Sequence, residues 1–530
     1  MKKTIFYCFL AVFLAAAILS CSDGKDGLDG KPGIDGKDGK DGKDGKDAVN
    51  PAFIEIVNSS LDVAIFPNAI GKVVFRVNPS NASVPIGSGS AIANWQFDQT
   101  GIGTRASYVT KPEGFELLSI QKDGDKDGQY IASIKNTGAK GTYFMALALN
   151  TGSSGLVSSS TFSLRGMMFT AKIFQQKATS ELFQRSIDNM DRLGTVNQIQ
   201  LLARQVRVDG VPEVLTNSGY DLWLIAPIMY HDDNQGTAAE SLAFLEKLGR
   251  DPKWAVCNDG NFAFETLNPN AVVTGGSWLR MVCPNDREYL DLRIEDIKET
   301  LDLCEFTGIS LDFIRYYVYW EGTYIDHNPK NLRNSCFCDD CLAEYFTSYP
   351  ISGTTLDAYN LLTTTVEKAN FILSDAARAN NWTLYKCSKL DKTIGYILAE
   401  LRDDYPQLQA NLHAVPWGQH SFDGAIRKIA GQDFGLLAPR FDQISVMTYN
   451  RMNQRAPQWI NDITADVFRS VNGKTAVLPT LQGSGGSDVE FEAELISAIK
   501  APSSGIVIWH FDERLSEARL DIIDKVLNNK

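Results

Sequence analysis

Gly308-Ile309-Ser310-Leu311-Asp312-Phe313-Ile314-Arg315-Tyr316-Tyr317 is a largely apolar run with a single carboxylate, Asp312, near its middle. A short run this rich in Ile, Leu and aromatic residues predicts a strand covered on both faces, as strands of a parallel sheet are. Helical patterns flank it, over 287–305 before and 356–379 after. Outward from this unit the alternation recurs. Further apolar runs lie at 166–174, 197–205, 220–230, 408–417, 443–450, 475–482 and 505–511. Eight strands with helices between them over 165–530 predict an α/β fold, one (β/α)8 TIM barrel with long loops.

The region before it reads differently. Residues 50–164 carry short alternating runs separated by turn residues, among them 53–57, 72–77, 130–134 and 142–149, which predicts an all-β sandwich domain. Asp123, Asp125, Asp127 and Gly128 imitate the start of a calcium loop, but Ile134 stands where the closing Glu belongs, so a hairpin turn is expected. The sandwich is read as a spacer, with glycan binding as the second possibility. Residues 24–47 repeat G-x-y, with glycines at 24, 27, 30, 33, 36, 39, 42 and 45 and a single proline, Pro32. Period-three glycine is the collagen pattern. With almost no proline to pre-set the helix, the tract at 22–48 is read as a hydrated Lys-Asp spacer, and a trimer through this stalk is the less favoured reading.

At the N-terminus Lys2 and Lys3 precede an apolar stretch that ends at Ser20-Cys21. This is the pattern of an export signal. Residues 1–21 are read as a lipoprotein signal segment: Ile18-Leu19-Ser20-Cys21 resembles a bacterial lipobox, which implies that Cys21 is acylated and becomes the first residue of the mature chain, an exported lipoprotein of the outer membrane or cell surface. An ordinary signal peptide or a single anchor helix is the alternative, and no later segment is apolar enough to cross a bilayer. The net charge of −13 and pI ≈ 5.0 argue against a phosphate-backbone partner, because no stripe of Lys and Arg is present. A carbohydrate partner fits better.

In a (β/α)8 barrel the chemistry sits at the C-terminal strand ends. Those ends offer His231 and Asp232; Asp312, Arg315, Tyr316 and Glu321; His413, Trp417 and His420; Tyr449 and Asn450; Gln482; and Trp509, His510, Asp512 and Glu513. All five histidines (His327 is the fifth) fall on this face or its loops. Indole faces stack on pyranose rings while short polar groups hold hydroxyls, so this rim suits sugar binding. Glycoside hydrolysis needs two carboxyl groups about the bond. Asp312 is the first candidate, because a solvated surface role is implausible inside an apolar strand. A structural pairing with Arg315 is its alternative. Asp512 and Glu321 are the leading partners, with Asp232 and Glu513 beside them. Arg315, Tyr316, His231, Asp232, Trp417, His420, Tyr449, Asn450, Gln482, Trp509 and His510 are the candidate substrate contacts. No cofactor is expected for catalysis.

Gly308–Tyr316 resembles the G-I-x-L-D-[YF]-I-R-Y-P fourth strand of glycosyl-hydrolase-like family 10 proteins, and Cys283-Pro284-Asn285-Asp286-Arg287-Glu288-Tyr289 resembles that family's lead into its third helix. The run Phe441–Tyr449 is similar to the same strand in chitinase-like barrels. The resemblance covers 165–530 and implies a glycoside hydrolase in which Asp312, Arg315 and Tyr316 occupy the motif positions. Tyr317 departs from it, standing where the family has Pro. Cys336-Phe337-Cys338-Asp339-Asp340-Cys341 is a C-x-C-x2-C knuckle whose thiolates can face one ion. It is similar to the knuckle of family-42 β-galactosidases, and that likeness implies a structural zinc held by Cys283, Cys336, Cys338 and Cys341. Disulfides are the rival reading, although seven cysteines follow Cys21 and an odd number cannot all pair within one chain. The family-42 catalytic pair does not carry over, since those enzymes place Glu after strands 4 and 7 and this chain has Asp312 and Gln482. The expected function is a membrane-tethered hydrolase of an oligo- or polysaccharide, with a non-catalytic glycan-binding lipoprotein as the alternative.

Overall fold

In the computed structural model the eight apolar runs form eight parallel strands that close into a barrel. The structure describes residues 53–58, 60–78, 95–99, 114–150, 156–159, 162–174, 179–231, 238–264, 278–324, 328–329 and 332–528. The export signal, Cys21 and the G-x-y tract lie outside the described residues.

Nine strands come first: β1 (Phe53–Ile56), β2 (Asp62–Ile65), β3 (Ile70–Asn78), β4 (Trp95–Gln99), β5 (Phe115–Lys122), β6 (Gln129–Asn136), β7 (Gly141–Asn150), β8 (Leu156–Ser158) and β9 (Phe162–Gly166). They form two sheets, β1-β3-β6-β5 and β2-β9-β7-β4, with β8 on β7. All pairings are antiparallel except β2 with β9. The period-2 pattern of β3 buries Val73, Phe75 and Val77 on one face, and Phe115 meets Tyr143 of the other sheet edge to face. The Asp123–Gly128 stretch is the expected turn. Gly124 and Gly128 adopt positive φ, and Lys126 pairs with Asp123 at 2.9 Å.

The barrel strands are β10 (Met168–Lys172), β11 (Gln198–Leu202), β12 (Asp221–Pro227), β13 (Gly308–Asp312), β14 (Gln409–Ala414), β15 (Gln443–Val446), β16 (Ala476–Gln482) and β17 (Gly505–Trp509). β10 pairs with both β11 and β17, which closes the ring. Only Met167 separates β9 from β10. Arg165 of β9 joins the two parts, donating to Ile499 O, Ala501 O and Ser503 O at 2.7–3.1 Å and pairing with Asp62 at 2.8 Å. It thereby satisfies carbonyls at and just beyond the end of the helix Asp488–Lys500.

Three boundaries differ from expectation. Gly166 belongs to β9, where a Cβ would lie 2.1 Å from Ala139 O, and not to the first barrel strand. At their C-terminal ends several strands stop sooner than the apolar pattern does, at Asp312, Ala414 and Val446, because the loops that follow are themselves buried and keep the hydrophobic pattern going. The expected helix over 356–379 is interrupted. The structure has Gly353–Asn360, Thr365–Leu373 and Ala376–Asp404, the latter two started by Thr364 (a capping box with Glu367) and Asp375.

Candidate functional site

β13 ends at the carboxylate that broke its apolar pattern. Phe313 takes φ +49°, an unusual conformation for a bulky side chain, and its N–H turns back to donate to Asp312 Oδ1 at 2.8 Å. Asp312 Oδ2 lies 3.3 Å from Nδ1 of His413 on β14, and His413 Nε2 lies 3.1 Å from the Gln200 side-chain amide on β11. A neutral ring that gives its Nδ1 proton to Asp312 accepts at Nε2 once the Gln200 amide turns its NH2 group to the ring, so three strands orient one carboxylate. Burial opposes ionisation of Asp312, but the His413 contact, Lys172 and the Phe313 N–H together outweigh it and hold the carboxyl well below the usual Asp range. Burial and Lys172 push His413 the other way, towards its neutral form.

The short 3-10 turn Trp320–Gly322 follows in the same loop and carries Glu321. Glu321 Oε2 is buried without a hydrogen-bond partner among the described residues. Burial raises this carboxyl to about 7. The nearby Arg315 guanidinium works against that rise, and the charge of Asp312 adds to it. Two carboxyl groups nine residues apart in sequence are thus driven in opposite directions, Asp312 towards its ionised form and Glu321 towards its protonated one.

Both open into a single cavity of about 730 Å³ at the C-terminal end of the barrel. Lys172 and Tyr449 also face it, and the aromatic wall includes Tyr230, Trp278 and Trp509. Tyr449 stacks on Trp509 with centroids 4.6 Å apart, and Tyr230 stacks on Phe313 at 4.5 Å. Burial, with the charges of Asp312 and Glu321, pushes the Tyr449 phenol well above its ordinary range.

Of the residues singled out in the sequence, Asp312, Glu321, His231, Tyr449 and Trp509 are brought together on this wall. His231 is buried with Nε2 2.9 Å from Ser241 Oγ. The others lie off it. Asp512 is taken up by Arg514 (2.6 and 2.8 Å) and the Phe174 N–H (3.2 Å). Arg315 is fully buried, donates to Val318 O at 2.5 Å and acts on Glu321 through its charge. Tyr316 packs under the Lys386 ammonium, 5.0 Å from its ring, on the side facing the cysteines. Trp417 is buried against Phe422, and His420 is exposed. Asn450 donates to Arg455 O, and Gln482 is buried in the β16 end. His510 meets Ser484 Oγ at 2.5 Å and is held down to about 4 by burial. Asp232 and His327 lie outside the described residues. Sequence reasoning missed Lys172, although Phe169-Thr170-Ala171-Lys172-Ile173 carries the same signal as β13, a charge inside an apolar strand.

The cysteine knuckle closes as a cluster. The sulfurs of Cys283, Cys336, Cys338 and Cys341 all lie within 4.8 Å of one another, and the cluster can hold a metal ion. Tetrahedral zinc with bonds of about 2.3 Å needs sulfurs roughly 3.8 Å apart, so the donor set fits. Asn285 N donates to Cys283 Sγ and Val256 N to Cys336 Sγ, each at 3.4 Å, as thiolates require. The seven described cysteines form no disulfide, and Cys304 and Cys387 are free thiols.

No protein-family model matches the chain, and no curated protein matches its sequence. Solved structures with a similar course of chain include the PgaB (BpsB) glycoside hydrolase domain from Bordetella bronchiseptica, at 12% identity and TM-score 0.47 over 69% of this chain and 99% of that one. A β-galactosidase from the psychrophilic Marinomonas ef1 aligns at 9% identity and TM-score 0.45, over 68% of this chain and 59% of that one. Gan42B, a GH42 β-galactosidase from G. stearothermophilus, aligns as a catalytic mutant at 12% identity and TM-score 0.43, over 68% and 56%. The chain therefore spans less than two thirds of either β-galactosidase.

Proposed function

We propose that this chain is a carbohydrate-active enzyme, a glycoside hydrolase that works with Asp312 and Glu321. One observation carries the reading: two carboxyl groups, one ending β13 and one in the loop that follows it, open on one aromatic-walled cavity with their ionisation driven apart. Glu321 supplies a proton to the leaving oxygen of the glycosidic bond as that bond breaks. Ionised Asp312 acts at the sugar carbon, as nucleophile or by taking a proton from water. Trp278, the most exposed ring of the aromatic wall named above, offers indole surface to the sugar. The resemblance of Gly308–Tyr316 to glycosyl-hydrolase-like family 10 supports the same class. The glycan-binding alternative draws on Gln482, an amide that ends β16 and stays off the cavity wall.

Other parts of the proposal rest on sequence features. The run ending at Cys21 supports export and lipid anchoring at the outer membrane or cell surface, the G-x-y tract a spacer, and the four-cysteine cluster a structural zinc that braces the loops following β12 and β13. Among the described residues no helix is long and apolar enough to cross a membrane. The test is sugar release from a broad polysaccharide panel by the wild type, Asp312→Asn and Glu321→Gln. Release by the wild type that both variants lose supports the assignment. Release that Asp312→Asn retains moves the chemistry elsewhere, and binding without release by the wild type favours capture.

A further inference from the structure

Lys172 ends β10 on the cavity wall with 4% of its surface exposed. Its Nζ makes no hydrogen bond or ion pair with any described residue; burial pushes its pKa down, and the charge of Asp312, which lines the same cavity, works against that fall. Buried ammonium groups are normally paired or hydrogen-bonded, because desolvation without compensation is costly. The other described cavity lysine, Lys247, pairs with Glu299 at 3.3 Å, and Arg207 pairs with Asp296 at 2.8 Å. Lys172 therefore brings a donor with no partner among the described residues to a cavity that Asp312 also lines, and Asp312 has acceptor capacity to spare.

We propose that Lys172 binds substrate by reading one sugar hydroxyl. The hydroxyl oxygen accepts from the ammonium and its proton is given to Asp312 as a hydrogen bond, so that this subsite takes a neutral pyranose and turns away a uronic acid. The inference rests on the reading of the cavity as a glycan site. A hydroxyl has donor and acceptor on one atom and satisfies both groups at once. A sugar carboxylate would satisfy Lys172 but bring a second negative charge beside Asp312 in a site with little water to screen it.

The test is affinity electrophoresis in the Glu321→Gln background, which leaves Lys172 and Asp312 in place. The probes are laminarin, xylan, β-1,4-galactan and chitohexaose as neutral glycans, with polygalacturonate and alginate as acidic ones. At least one neutral glycan is expected to bind and no acidic one. Adding Lys172→Met should weaken that binding by about tenfold or more, with Lys172→Gln in between. Affinity for the neutral glycan unchanged within about twofold in Lys172→Met, binding of the polyuronates only, or binding of none overturns the proposal. Melting temperatures separate a binding role from a folding role. Lys172→Met/Asp312→Asn should melt at or above the wild type if the pair is kept for substrate, and a lower value in the double variant counts against the proposal. Lys172-dependent binding without hydrolysis by the wild type leaves this inference standing while the hydrolase reading fails. Hydrolysis with an unchanged KM in Lys172→Met does the reverse.

Discussion

Two aspartates stand at or just past the ends of barrel strands, Asp312 at β13 and Asp512 beyond β17. Both are held below the ordinary Asp range, yet they differ in what holds them. Asp512 is saturated: Arg514 contacts both its oxygens, and the Phe174 N–H fills a further site. Asp312 has one backbone N–H and one imidazole, then a cavity. A carboxylate whose partners are all protein is a brace. One that leaves acceptor capacity facing a cavity, which Lys172 and a carboxyl whose ionisation burial resists also line, has the arrangement expected where a ligand completes the bonding.

The sharpest way to break this contrast is to neutralise each aspartate. Asp312→Asn should lower kcat/KM by roughly 10⁴-fold with melting little changed. Asp512→Asn should lower the melting temperature by several degrees, for about 2–3 kcal/mol of lost bonding, while activity per folded molecule stays within a few-fold. Equal activity losses in the two would erase the distinction. Glu321→Gln should cost about 10²–10⁴-fold. Because Glu321 must be protonated to act, wild-type activity should fall as pH rises through about 7.

Stability against pH sharpens the comparison further. Ionisation of Glu321 is resisted in the folded chain, so its effect lowers stability as pH rises from 4.5 through about 7, and Glu321→Gln should flatten that decline. Asp512 has the opposite sign. Its stabilisation is complete above the ordinary Asp value of 3.8 and is lost as pH falls below it, and calorimetry of Asp512→Asn should show that acid limb reduced. The smallest effect on chemistry is expected at the cysteines. Elemental analysis should find about one zinc per chain, and Cys341→Ser should lose the metal and several degrees of melting temperature, with KM disturbed more than kcat.

Much of this was legible in the chain. Eight apolar runs separated by helical patterns suffice for a closed parallel barrel, because strands covered on both faces leave a continuous hydrophobic record. The charge inside Ile309–Ile314 marked Asp312 for the same reason, and the C-x-C-x2-C spacing marked the cysteine cluster, which Cys283 joins in space. The rim was less legible. His420, Trp417 and His510 sit within a few residues of strand ends just as His231 and Tyr449 do, and sequence position does not tell which side chains turn towards the axis. Nor does it give the early strand end at Asp312, which depends on the left-handed turn at Phe313.

The sequence by itself determined the class of fold, the candidacy of Asp312 and the thiolates able to gather round one ion, since each depends on local periodicity or short spacing. Tertiary structure alone decided that Glu321 shares a cavity with Asp312 and is desolvated towards protonation, that Arg514 takes up both oxygens of Asp512, and that Lys172 has no partner among the described residues. Burial and charge pairing are sums over residues from several strands, and no local stretch of chain contains them.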